Sequence, residues 1–242
     1  MPGGAVENMT PIEPVLCIVV PVLDEAASLA SHLGELQRLR KRGARVIVVD
    51  GGSADDSLAI AAGLSDLAFV APKGRARQMN AGAAAGAGDL LLFLHADTRL
   101  PHDADTLVRR ALQGHVQWGR FDVAIDSPRP VMRVVEGLMN LRSRWSGIAT
   151  GDQALFVRRD LFQRVGGFPD QPLMEDIALS ALLKRKGPPA CLPERVTTSA
   201  RRWERHGPWR TIVLMWRLRA AYFFGADPSK LATRYGYPPP PP

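Results

Sequence analysis

A chain of 242 residues, 46% hydrophobic and 23% charged, has the balance of a globular protein and room for one large α/β domain. Its formal net charge of +7 suits an anionic ligand or surface, but no nucleic-acid motif surrounds the scattered basic residues, so nucleic acid is not an expected partner. Two cysteines, Cys17 and Cys191, supply neither a metal cluster nor a disulfide framework and suit a reducing, cytoplasmic setting.

Residues 1–14 carry Pro2, Gly3, Gly4, Pro11 and Pro14 with no cationic start, and read as a loose tail instead of a signal peptide. The run Val15-Leu-Cys-Ile-Val-Val-Pro21-Val-Leu then forms a strand that ends in Asp24-Glu25. Apolar residues at helical spacing predict a helix over 25–41, stopped by Gly43. A second strand, 45–49, ends in Asp50-Gly51-Gly52-Ser53, and Ser53 with the acids after it starts a helix over 57–63. A short strand at 67–70 precedes Lys73-Gly-Arg75-Ala-Arg77-Gln-Met-Asn80, and an Ala-rich helix covers 78–86. The strand at 90–94 delivers His95-Ala96-Asp97.

Continuous apolar runs, unlike alternating ones, mark strands buried on both faces. Four strands alternating with helices point to a doubly wound, Rossmann-like, mostly parallel sheet. Ligands in such sheets sit outside the carboxyl ends of the strands. Three acidic strand ends therefore converge on one site, where carboxylates can hold a ribose, a base edge or a cation bridging phosphates.

The second half reads as a strand over 116–125, a helix over 131–144, a strand over 152–157 and a helix over 159–165 stopped by Gly166-Gly167. A helix over 175–186 is closed by Gly187 and Pro188. No segment reaches the roughly 20 apolar residues of a membrane span. The nearest, 209–225, is interrupted by Arg210, Arg217 and Arg219. On a helix Arg210 and Arg217 share a face and Arg219 points nearly opposite, so a helix docked on the protein is expected, with peripheral membrane contact as the alternative. Residues 237–242 form a polyproline tail.

Each motif has a plain reading beside the functional one. Asp24 and Glu25 could hold a base or ribose, or serve a helix N-terminus. Gly51 and Gly52 allow close backbone approach to a ligand, and a glycine turn with a Ser53 cap leaves Asp50 unexplained. Arg75, Arg77 and Asn80 could contact a diphosphate, or form a solvated basic loop; the glycines there match neither the dinucleotide fingerprint nor the P-loop. A lone Asp97 suits Mg²⁺ or Mn²⁺ completed by water and phosphate oxygens, or simply caps a turn. Glu175 and Asp176 open a helix, where carboxylates are common for dipole reasons. Arg201-Arg202-Trp203, with His206 nearby, could close over phosphates or cover a surface.

Taken in order, the Pro21–Glu25 opening, the stretch from Val49 to Asp55, that from Arg77 to Gly82, the Asp97 strand end, the Gly166-Gly167-Phe168 turn and Glu175-Asp176 resemble the family 2 glycosyltransferases of the GT-A fold. The stretches Phe-Leu-His95-Ala-Asp97-Thr-Arg-Leu-Pro and Ser199-Ala-Arg-Arg-Trp203 resemble a compact bacterial branch of arsenosugar-biosynthesis or radical-SAM-associated transferases. The resemblance implies one domain over 15–236, with a nucleotide-sugar half at 15–115 and an acceptor half at 116–236. It further implies metal-dependent, inverting transfer of a sugar from a nucleotide-diphosphate donor to a hydroxyl acceptor, in arsenosugar or other small-glycoside synthesis. Pro21, Asp24, Glu25, Asp50, Gly52 and Ser53 would line the nucleotide site. Arg75, Arg77, Asn80, His95, Ala96, Glu175, Arg201 and Arg202 would line the rest of the substrate site. Asp97, with His206, would hold the metal, and Asp176 would be the general base. The family's Asp-X-Asp appears here as His95-Ala-Asp97, so ribose contact by the first acid is lost or passes to His95. The rival readings are a nucleotidyltransferase, which would want a glycine- and Arg/Lys-rich loop after the first strand, and a non-catalytic nucleotide-sugar-binding module, which has no use for both Asp97 and Asp176.

Overall fold

The chain is described here by a computed structural model over residues 13–237, excepting the side chains of Arg202, Arg205, His206 and Pro208. Eight strands form one mixed sheet. In chain order they are β1 (Leu16–Val22), β2 (Arg45–Asp50), β3 (Leu67–Val70), β4 (Leu90–Phe93), β5 (Thr98–Arg99), β6 (Trp118–Asp126), β7 (Phe156–Arg158) and β8 (Ala190–Ser199). Their spatial order is β3-β2-β1-β4-β7-β6-β8-β5. β3, β2, β1 and β4 run parallel; β7 is antiparallel to both β4 and β6, β8 is parallel to β6, and β5 is antiparallel to β8.

The continuous apolar runs have the expected consequence. All seven residues of β1 are buried, with Leu16, Ile18, Val20 and Val22 packed in one layer and Cys17 and Val19 in the other. The first layer is filled by Leu29, Leu33, Leu36 and Leu39 of α1 (Ala26–Lys41). The second is filled by Met79 and Ala83 of α3 (Arg75–Ala85), Leu161 and Phe162 of α6 (Arg159–Arg164), and Leu179 and Leu183 of α7 (Glu175–Lys184). A short α2 (Ser57–Leu64) links β2 to β3, and α4 (Ala104–Ala111) lies between β5 and β6. α3 lies so close to the sheet that a Cβ on Gly82 would stand 2.4 Å from Val19 Cγ1.

The remaining helices are α5 (Pro130–Ser146), α8 (Arg201–His206), α9 (Pro208–Phe223) and α10 (Pro228–Tyr235). Several expected bounds shift. The helix anticipated from residue 78 starts at Arg75, so Arg75 and Arg77 belong to its first turn and not to a loop. The strand expected over 152–157 is replaced by a 3₁₀ turn, Gly151–Gln153, and the shorter β7. The turn forms because Thr150 and Gln153 close a capping box on each other's backbone. β8, which has no counterpart in the sequence reading, returns the chain to the strand ends.

Candidate active site

The parallel strands place their acidic ends side by side: Val22 of β1 pairs in register with Asp50 of β2, and β4 lies on the other side of β1. Gln78 fastens this edge, its buried amide donating to the carbonyls of Val22 and Val49 at 2.8 Å each. Pro21 is a buried strand residue one step inside the edge.

Asp50 is 2% exposed, and its carboxylate accepts from the Gly52 and Ser53 amides at 2.9 and 2.8 Å and from the Ser53 hydroxyl. The turn that left Asp50 unexplained in the sequence is thus organised around it, and Gly52 takes φ +87°, a conformation a side chain would strain. Asp24, itself in the left-handed region at φ 54°, accepts from the Ala54 amide and donates its own amide to Ser53 Oγ. The loops after β1 and β2 therefore form one unit.

Arg201 joins the ends of β1 and β4. Its guanidinium lies 3.0 Å from Glu25 Oε2 and 3.8 Å from Asp97 Oδ2. β8 delivers it: Thr98 pairs with Thr198, and the Ser199 amide donates to the Asp97 carbonyl at 3.1 Å. From the sequence the Arg201 segment could equally close over phosphates or cover a surface; its partner Glu25 lies 176 residues away. Arg202 and His206, expected beside it, have side chains outside the described residues.

His95 and Asp176 meet across Gly151. A Cβ on Gly151 would fall 2.3 Å from the His95 ring, and the Gly151 amide donates to Asp176 Oδ2 at 2.6 Å. Asp176 also accepts from the Ile177 amide at the start of α7. Next to Gly151, Asp152 lies 3.7 Å from His95 Nδ1. Burial works against charge on Asp152, but the His95 hydrogen bond and the charges of His95, Arg75 and Arg219 outweigh it and hold its carboxyl below the ordinary range. Glu175 is buried, and burial together with the neighbouring Asp176 pushes its carboxyl up, against the pull of Arg75. The non-glycine residues with left-handed backbones, Asp24, Ala154 and Met174, all flank these loops. Strain of this kind gathers at sites whose geometry is fixed by their surroundings.

Arg75, His95, Asp97 and Asp152 form one wall of a cleft of about 400 Å³. Arg142 of α5 and Arg219 of α9 face each other within it. Burial first, and then the like charge of Arg219, push Arg142 down to about 10. Nε and Nη2 of Arg142 and Nε of Arg219 are buried without a hydrogen-bond partner, so the cleft holds unspent donors for a ligand oxygen. The sequence marked neither arginine, nor Asp152, as a site residue. The capping pattern Thr150-x-x-Gln153 was the available signal for the Asp152 turn.

Two expected substrate contacts are engaged elsewhere. Arg77 turns outward to Asp170 at 2.9 Å, with both side chains largely in solvent. The Asn80 amide clamps the Phe168 backbone, donating to its carbonyl at 2.8 Å and accepting from its N–H at 2.9 Å. Of Arg75, Arg77 and Asn80, Arg75 alone lines the cleft. Ala96 is buried beneath the Asp97 turn.

No group of three His, Cys, Asp or Glu side chains suited to a cation exists among the described residues. Asp97 is a third exposed beside the cleft, and that donor set fits Mg²⁺ or Mn²⁺, which draw their other ligands from water and substrate phosphates. It does not fit a closed structural metal site.

The sequence pattern of glycosyl transferase family 2 matches residues 17–166, more than half of the chain. A PGL/p-HBAD biosynthesis glycosyltransferase of Mycobacterium tuberculosis is 31% identical over 175 residues, 64% of this chain and 63% of that protein, so the match spans less than two thirds of the relative's length. Among solved structures, the mannosyltransferase PcManGT of Pyrobaculum calidifontis, in complex with GDP-Man and Mn²⁺, superposes on 95% of this chain and 67% of its own with a TM-score of 0.64 and 20% identity. Glucosyl-3-phosphoglycerate synthase of Mycobacterium tuberculosis, in complex with Mn²⁺, UDP and glucosyl-3-phosphoglycerate, covers 93% of this chain and 81% of its own with a TM-score of 0.61 and 21% identity. Both share the GT-A architecture of an α/β sheet flanked by helices. With strand ends, helix caps and family pattern in agreement, the chain belongs to glycosyl transferase family 2.

Proposed function

We propose that the protein transfers a sugar from a nucleotide-diphosphate donor to a hydroxyl acceptor with inversion at the anomeric carbon. The observation that carries this reading is the meeting of the Asp97 strand end and the Asp176 helix end across Gly151 and His95. The joined loops of Asp24, Asp50 and Ser53 cradle the nucleoside, and Glu25, steadied by Arg201, closes its edge. Asp97 would hold a divalent cation, which when bound offsets the charge of the departing diphosphate. Arg75 and Arg201 add fixed positive charge on the same side, available without reorganisation. Structural neighbours named for mannosyl and glucosyl transfer support the class of donor without naming the one used here.

Asp176 takes the acceptor proton as the hydroxyl attacks, a contribution of about 10²–10⁴-fold. Its two amide donors hold the carboxylate in place. Asp176→Asn keeps one of these bonds, since its amide has a single acceptor oxygen, and removes the base. It should therefore abolish transfer while nucleotide-diphosphate affinity, measured by calorimetry with Mn²⁺, stays unchanged. Persistent transfer would place the base elsewhere. Val135, Leu138, Met139, Ile212, Met215 and Trp216 make the far wall of the cleft apolar, which favours an amphiphilic acceptor over a small soluble glycoside of the arsenosugar type.

A further inference from the structure

No helix among the described residues is long and apolar enough to cross a membrane. Two helices nevertheless present apolar stripes outward. On α5 the exposed large apolar residues are Val134, Leu138, Leu141 and Trp145, at i, i+4, i+7 and i+11, one face of a helix. On α9 they are Trp209, Val213, Trp216 and Phe223, again on one face, followed by exposed Phe224. Trp145 is 94% exposed and both phenylalanines 84%. So large a concentration of exposed aromatic and aliphatic side chains is uncommon on a protein that meets only water.

The two stripes meet at the cleft. Leu138 and Trp216 belong to the exposed faces and also line the cavity, so its mouth opens between the stripes. The helices are packed together behind them, with Ile212 against the layer of Met132 and Val135. The structure also resolves the apparent obstacle of Arg219. It points inward to the cleft and not to solvent, so it does not interrupt the outer face. Arg210 and Arg217 sit one position along from Trp209 and Trp216, bordering the apolar stripe as cations do at a membrane surface.

Charge selects the occupant. α9 has no acidic residue, and the single acid of α5, Glu136, is buried against Arg133. Beside Trp145, Arg144 and the exposed Lys184, Arg185 and Lys186 at the end of α7 surround a shallow concavity. An apolar face bordered by cations complements an anionic lipid surface. It does not complement a second copy of this chain, whose net charge of +7 would oppose approach.

We infer that the outer faces of α5 and α9 dock on an anionic bilayer and turn the mouth of the cleft toward it. Given the proposed transfer reaction, the acceptor hydroxyl is then carried by a bilayer-borne amphiphile. Flotation of the full chain with phosphatidylcholine vesicles, with and without phosphatidylglycerol, tests this. Binding is expected with the anionic vesicles and should weaken as salt rises. The double variants Leu141→Ser/Trp145→Ser and Trp209→Ser/Val213→Ser, outside the cleft lining, should each lower partitioning by about tenfold or more. Lys184→Ala/Arg185→Ala/Lys186→Ala should lower it about fivefold per lost charge. Thermal stabilisation by nucleoside diphosphate with Mn²⁺, measured on the same preparations, should match the parent chain. This keeps the two proposals separable: lost stabilisation with intact flotation sinks the donor reading alone. No flotation with anionic vesicles, flotation indifferent to both double variants, or a discrete dimer in light scattering that either double variant dissolves would overturn the docking.

Discussion

Glu175 is a buried carboxyl beside a second carboxyl, and replacing it with glutamine keeps its shape while removing its proton chemistry. Burial is the main cause of its raised pKa and Asp176 the next, with Arg75 opposing both. Moving a carboxyl from 4.5 to about 7 penalises the ionised folded state by on the order of 3 kcal/mol. Relaxation around Arg75 reduces this, so roughly 1–3 kcal/mol is expected. The folded chain binds this proton more tightly than the unfolded chain does. The contribution of Glu175 is therefore undiminished below about pH 4.5 and is lost as pH rises through about 7. Glu175→Gln should flatten that part of the stability curve and leave the variant more stable above neutrality, with a melting temperature higher by roughly 3–10 °C at pH 8. Denaturant unfolding of both proteins at intervals from pH 5 to 8 measures it. Parallel curves for the parent and Glu175→Gln would refute the reasoning, because the carboxyl would then carry no excess proton in the folded state.

Asp97→Ala should remove the Mn²⁺ dependence of nucleoside-diphosphate binding in calorimetry; a persisting metal effect would move the cation to other ligands. Gln78→Leu deprives the carbonyls of Val22 and Val49 of their donor in a buried place, and should lower stability by about 2–4 kcal/mol in urea. Gly82→Ala gains helix propensity but drives a Cβ into Val19 and Val49, at 2.4 and 2.9 Å. Overpacking at about 1–3 kcal/mol should outweigh the propensity gain and destabilise the protein. Gly34→Ala, where a Cβ meets nothing within 4 Å, should stabilise it by about 0.5–1 kcal/mol.

The legible part of the fold is the part whose causes are local. β1, β2 and β4 are continuous apolar runs, α1 has leucines at helical spacing, and Gly166 and Gly187 stop α6 and α7. β8 was illegible because Cys-Leu-Pro193-Glu-Arg mixes proline and charge within a strand that carries a register shift against β6 at Phe121/Asp122. The site divides in the same way. Asp50 and Asp97 are visible because an acid ends an apolar run. The engagement of Asn80 by Phe168 and of Arg77 by Asp170 is not visible, because each pairing spans about ninety residues and depends on where the Gly166-Gly167 turn lands.

Arg201 shows why the last quarter of the chain belongs to the site although the family pattern ends at residue 166. Glu25, after β1, and Asp97, after β4, place two carboxylates on one guanidinium, that of Arg201. Like charges so placed would oppose each other and an incoming diphosphate unless a cation lay between them. β8 supplies that cation on a short helix stitched to the Asp97 loop, and α9, continuing from it, forms the apolar wall of the cleft. One segment thus neutralises the paired carboxylates and shapes the mouth of the cleft. A substitution at Arg201 should therefore disturb donor and acceptor binding together, whereas one at Asp24 should disturb the donor side alone.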